Sequence, residues 1–123
     1  MYTLEIPEGI VGIGNYALYC TRATIDFSAP KSLKTIGDYA FYDISINTFD
    51  TSEARLEYVG EQAFADSHCP IDKGFFKMPY VVSAGKEAFR SFFGHNTETF
   101  INVTNVSEGM FSEAKHFVIG DPD

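Results

Sequence analysis

Two aliphatic columns, three residues apart, run the length of this chain. The first is Ile10, Leu33, Leu56, Val81 and Val103; the second is Ile13, Ile36, Val59, Ala84 and Val106. Each member of the second column opens a six-residue phrase. The five phrases are Ile13-Gly14-Asn15-Tyr16-Ala17-Leu18, Ile36-Gly37-Asp38-Tyr39-Ala40-Phe41, Val59-Gly60-Glu61-Gln62-Ala63-Phe64, Ala84-Gly85-Lys86-Glu87-Ala88-Phe89 and Val106-Ser107-Glu108-Gly109-Met110-Phe111. Their starts are separated by 23, 23, 25 and 22 residues. A fixed period in that range marks a solenoid, in which a repeat buries its apolar side only by stacking on its neighbours.

The i, i+3 relation between the columns points both at one interior. A small residue beside a large one closes each phrase, as in Ala40-Phe41 and Ala63-Phe64. This lets one short helical turn lie close on the next while the large side chain fills the core. Upstream of each phrase lies a β-rich stretch, at residues 2–6, 23–27, 46–50, 75–78 and 99–103, and a sixth at 116–119 closes the chain. Stacked, these make a parallel sheet along one flank. Turn residues Pro7-Glu8-Gly9, Ser28-Ala29-Pro30 and Asp50-Thr51-Ser52 separate strand from phrase. The second phrase position, Gly14, Gly37, Gly60 and Gly85, is predicted to take positive φ or to let stacked backbones approach closely. No GxGxxG or GxxxxGK pattern surrounds these glycines, so they form no phosphate loop. The fourth repeat is irregular: residues 68–74 lengthen the spacing, and Ala84 stands where Ile or Val belongs. A bulged loop and a locally thinner core are expected there.

These columns resemble the BspA-type leucine-rich repeat. The match is nearly end to end from Leu4-Glu5-Ile6-Pro7 through Ile13-Gly14-Asn15-Tyr16-Ala17-Leu18-Tyr19-Cys20, good over Leu33 to Phe41, and partial in the third repeat. Repeats four and five depart from it, with Ala84 for Ile and Ser107-Glu108-Gly109-Met110 for Gly-x-x-Ala. The resemblance implies an α/β repeat fold. It is a right-handed leucine-rich-repeat solenoid of short parallel strands and short helical turns, with about five repeats of 22–25 residues forming one domain over 1–123. It implies an extracellular or cell-surface setting, adhesion to a protein ligand such as a host or matrix protein, and no enzymatic activity. It places Cys20 in a column whose side chain faces the interior; Asp43, Asp66, Ser91 and Glu113 occupy that column below it. The chain shows no clear polar cap at either end, which points to a fragment or to end-to-end self-association.

Composition narrows the function further. The twelve Phe and seven Tyr carry much of the apolar weight, against only four leucines. The formal net charge is −8, and the nine basic residues are scattered singly. Nucleic acid, which demands clustered Lys and Arg, is excluded as a partner on this basis, and so is docking on an anionic membrane. No apolar run approaches the roughly 18–20 residues that cross a bilayer, so membrane insertion is not expected. The first residues lack the basic start and apolar core of a signal peptide, leaving a cytoplasmic protein or an internal piece of an exported one. Cys20 and Cys69 sit two repeats apart. Their Cα atoms are expected about 10 Å or more from each other, beyond the roughly 7 Å a disulfide spans, so two free thiols are expected.

No HExxH, CxxC, EF-hand or Ser/His/Asp order is present, and no cofactor is implied. Asp66-Ser67-His68 has a nucleophile's alphabet but no supporting base or oxyanion motif. Asp26, Asp43, Asp50, Asp66 and Asp72 read as solvated loop residues and turn caps. His68, His95 and His116 lie 9, 11 and 10 residues past the starts of their phrases, with Cys69 at 10. Equivalent offsets stack in a solenoid, so these four form a weak candidate metal edge for zinc or copper against the alternative of ordinary surface histidines. Asn102-Val103-Thr104 and Asn105-Val106-Ser107 match the glycosylation triplet. The best functional lead is aromatic. Tyr16 and Tyr39 share one offset, Tyr19 and Tyr42 another, and each pair is expected to form a ladder roughly 5 Å apart on the turn side. Exposed, it suits a protein ligand or a carbohydrate ring; packed on itself, it only shields the turns. The functional expectation is a non-catalytic adhesion module. The alternatives are a rigid spacer or a carbohydrate-binding appendage of a larger surface protein.

Overall fold

A computed structural model describes residues 2–21, 24–69, 75–94, 99–115 and 118–119. Within these lie strands β1 (Tyr2–Leu4), β2 (Gly12–Ile13), β3 (Thr24–Ser28), β4 (Thr35–Ile36), β5 (Ser45–Asp50), β6 (Leu56–Val59), β7 (Phe75–Ala84), β8 (Thr99–Asn105) and β9 (Val118–Ile119). Every pairing is parallel. One ladder runs β1, β3, β5, β7, β8, β9, so each rung adds the upstream strand of the next repeat. A second ladder, β2, β4, β6, carries the second aliphatic column and joins the later part of β7, with Val59 opposite Ala84. The second aliphatic column thus falls in register, Ile13 beside Ile36 beside Val59.

The expected helical turns are not helices, and no helix occurs among the described residues. Residues 15–20, 38–43, 61–66, 86–91 and 108–113 are stacked turns. Their amides bond outward to the next repeat: Tyr16 N–H donates to Asp38 C=O (2.8 Å), Leu18 to Ala40 (2.8 Å) and Cys20 to Tyr42 (3.0 Å). A helix would need those same donors for its own i−4 carbonyls. Two residues per turn also take left-handed φ, Tyr16 (60°) and Cys20 (52°) in the first, Tyr39 (58°) and Asp43 (56°) in the second. A right-handed helix cannot pass through such residues.

The glycine column works through close approach. Gly14, Gly37, Gly60 and Gly85 are not among the positive-φ residues. A Cβ on Gly85 would lie 2.6 Å from the Glu61 amide nitrogen, whereas one on Gly14, with no earlier turn beside it, would meet nothing within 4 Å. Positive φ falls two residues later, on Tyr16, Tyr39, Gln62, Glu87 and Gly109.

Two phenylalanine stacks fill the interior. Phe41, Phe64, Phe89 and Phe111 stack in series at 5.2, 5.4 and 5.5 Å between centroids, within 11° of parallel. Phe27, Phe49 and Phe76 from the strands form the second stack at 4.6 and 5.0 Å. The stacks meet edge to face, Phe49 on Phe64 at 85° and Phe64 on Phe76 at 86°. Leu33, Leu56, Ile36 and Val59 seal the second-ladder side, all essentially inaccessible. Around β7 the core is not thin: Ala84 is buried and the fully buried Phe92 lies 5.0 Å from Phe76. The expected bulged loop falls mostly on residues 70–74, outside the described residues. Ile10, Val11, Val106 and Ile119, toward the two ends of the stack, are exposed.

Candidate functional site

Stacking the turns brings four tyrosines together. Tyr16 and Tyr39 occupy the first left-handed corner of their turns and Tyr19 and Tyr42 immediately precede the second; Tyr16 (56% accessible) and Tyr19 (44%) are the most open of the four. Tyr16 and Tyr39 stack at 5.0 Å with rings 2° from parallel, and Tyr19 and Tyr42 stack at 5.1 Å and 24°. Edge contacts tie the pairs together, Tyr16 to Tyr19 at 5.3 Å and Tyr19 to Tyr39 at 6.1 Å. The centroid spacing matches the rise between stacked strands, so the backbone ladder sets the ring spacing.

Below the aromatic half the same columns turn polar. Tyr42 Oη donates to Asp66 Oδ2 (2.9 Å) across the repeat boundary, and Arg90 Nη1 donates to Glu87 Oε2 (3.1 Å). Asp66 also acts electrostatically on Arg90. Ala65, between the Tyr42 and Arg90 rows, is fully covered. Asp66 is therefore a partner that orients the platform, where sequence reading took it for a solvated turn residue. Its contact is with a residue one repeat away, and only the stacking register reveals it.

The hydrogen bond to Asp66, with lesser contributions from burial and the Asp66 charge, pushes the Tyr42 phenol up to about 12. The folded state thus favours the neutral phenol beyond the ordinary value of 10.0. The resulting stability is fully present below pH 10 and is lost as pH rises through about 12. Tyr42 is only half-buried, and solvent screening at the bond reduces the effect to about 1 kcal/mol or less. Urea unfolding is expected to show wild type losing stability relative to Tyr42→Phe between these pH values. Parallel pH profiles for the two would show that the bond to Asp66 contributes nothing.

The other candidates separate. His68 is exposed and bonds Ser45 through Nε2 (3.1 Å), while Cys69 is buried. Consecutive residues of an extended segment point to opposite sides, so these two cannot share a metal. His95 and His116 lie outside the described residues. Among the described residues no group of three or more His, Cys, Asp or Glu is placed to hold a metal ion. Asp66-Ser67-His68 splits three ways: Ser67 is fully buried, its hydroxyl donating to Phe41 C=O and accepting from Ile44 N–H (3.1 Å). Cys20 is exposed rather than interior, because its column is the outer left-handed corner of the turn. No disulfide joins Cys20 to Cys69. Asn102 is part-buried and donates from Nδ2 to Pro79 C=O (3.1 Å).

No curated protein and no solved structure matches this chain. The family model of the BspA-type leucine-rich repeat region matches residues 1–118. It counts six copies where about five repeats were expected, and among the described residues the first ladder has six strands. With the match spanning nearly the whole length, the chain belongs to the BspA-type leucine-rich repeat family.

Proposed function

We propose that this chain is a non-catalytic adhesion module at a cell surface, which binds a protein ligand of the host or matrix type through the face bearing Tyr16, Tyr19, Tyr39 and Tyr42. Repeats of this family generally serve as non-enzymatic binding scaffolds and are typically surface-associated. Among the described residues no helix is long and apolar enough to cross a membrane. The observation that carries the reading is the pair of solvent-facing tyrosine stacks at 5.0 and 5.1 Å. Rings already fixed against one another lose little further freedom on binding, and tyrosine joins a broad apolar surface to a polar tip.

The stacking also favours protein over carbohydrate. A sugar ring packs on an open aromatic face, but the facing sides of Tyr16 and Tyr39 are spent on each other. The strip also turns ring edges and hydroxyls toward solvent, suited to an uneven protein surface. A rigid spacer has no use for such a patch.

The test is binding of the immobilised chain to a panel of extracellular matrix and plasma proteins at physiological salt. Saturable binding to one member is the expected result. Silence across the panel would leave the spacer as the better account.

A further inference from the structure

Another surface, away from the tyrosine face, breaks the repeat pattern. In the second and third repeats a corner separates the two ladders, with turns at residues 31–32 and 52–53. In the fourth repeat no turn intervenes, and β7 continues unbroken from Phe75 to Ala84. Where the corner ends, a groove of about 430 Å³ opens, lined by Arg55, Glu57, Tyr80, Val82, Asn102 and Thr104 among others.

The groove is shaped by a bulge. Met78 pairs with Ile101 and Val81 with Val103, so Pro79 and Tyr80 together oppose Asn102. Asn102 Nδ2 fills the irregular register by donating to Pro79 C=O (3.1 Å). Tyr80 is left partly exposed on the outer surface, and the Arg55 guanidinium lies over its ring, 3.8 Å from the centroid. Val82, 54% accessible, is the next outward residue along β7. Glu57 is engaged by Lys34 (3.9 Å), and among the described residues Arg55 makes no ion pair. Among the described residues this guanidinium has no carboxylate partner; it is oriented by an aromatic ring, beside exposed apolar side chains.

We infer that this groove binds an extended, acidic segment of a partner protein. A carboxylate sits on the Arg55 fork, and a neighbouring apolar side chain packs on Val82 and the free edge of Tyr80. Three adjacent rungs are about 10 Å across, the width of one extended chain. A carbohydrate is disfavoured because Arg55 already occupies a face of Tyr80. The inference is independent of the tyrosine platform, since the two surfaces share no residue.

The test is a two-dimensional amide NMR titration of the ¹⁵N-labelled chain with an acetylated peptide alternating valine and aspartate. The lysine-for-aspartate peptide serves as control. The expected result is saturable shifts centred on Arg55, Tyr80, Val82 and Thr104 with the acidic peptide alone. Arg55→Gln, with an unchanged urea midpoint, is expected to weaken that binding about tenfold or more. Absence of shifts, an equal response to the lysine peptide, or shifts confined to the tyrosine face would each overturn it. So would full affinity in Arg55→Gln. Shifts that follow protein concentration without peptide would make the groove a self-contact and equally overturn it.

Discussion

Replacing Phe64 with alanine lowers the free energy of unfolding by about 3–5 kcal/mol. Phe64 is wholly buried in the middle repeat, with Phe41 and Phe89 stacked on its two faces at 5.2 and 5.4 Å. Phe49 and Phe76 meet it edge to face at 5.0 and 5.3 Å. Truncation removes the transfer free energy of the ring and leaves a cavity between four aromatic neighbours. Those neighbours hang from hydrogen-bonded ladders with fixed spacing, so they cannot collapse far into the gap. Urea melts give the number; a loss below about 1 kcal/mol would contradict the core assigned to Phe64.

The second large effect lies in the turns. A Cβ on Gly60 would sit 2.5 Å from the carbonyl carbon of Gly37 and press on the Asp38 amide. That amide accepts no displacement cheaply, because it donates to Asn15 Oδ1 (2.8 Å) while Asp38 Oδ1 receives the Glu61 amide (2.9 Å). Gly60→Ala is therefore expected to cost about 3 kcal/mol, at the upper end for overpacking. Gly14→Ala meets nothing within 4 Å and should change stability by less than about 0.5 kcal/mol. Equal losses in the two variants would show that the glycine column serves local conformation rather than the approach of stacked turns.

The repeat made much of this architecture legible before any coordinates. In a solenoid, residues at equal offsets become neighbours, so the columns through Leu33, Leu56, Ile36 and Val59 and the Phe41–Phe64–Phe89 series were predictable as core. The same logic placed Tyr16 beside Tyr39 and Tyr19 beside Tyr42. The turn conformation was not legible. Left-handed residues are anticipated at glycine, yet here Tyr16, Cys20, Tyr39 and Asp43 adopt them, held by hydrogen bonds to the next repeat. That same hidden corner put Cys20 outside. The strand stack Phe27–Phe49–Phe76 was obscured by uneven linker lengths, and β3 and β5 do shift register between Ile25 and Asp26. The Asp66 contact to Tyr42 crosses a repeat boundary at unlike offsets, which no single column displays, whereas Arg55 and Tyr80 stand at the same offset, four residues before their phrases.

The most direct test of the tyrosine face is the affinity of Tyr16→Ala combined with Tyr39→Ala for whichever matrix or plasma protein binds wild type. Both side chains project from corner positions, so the double variant is expected to keep its cooperative urea transition. Removing two rings from the centre of a contact is expected to weaken binding by about thirtyfold or more. A folded double variant with wild-type affinity would contradict the proposal and move the contact to another face of the solenoid.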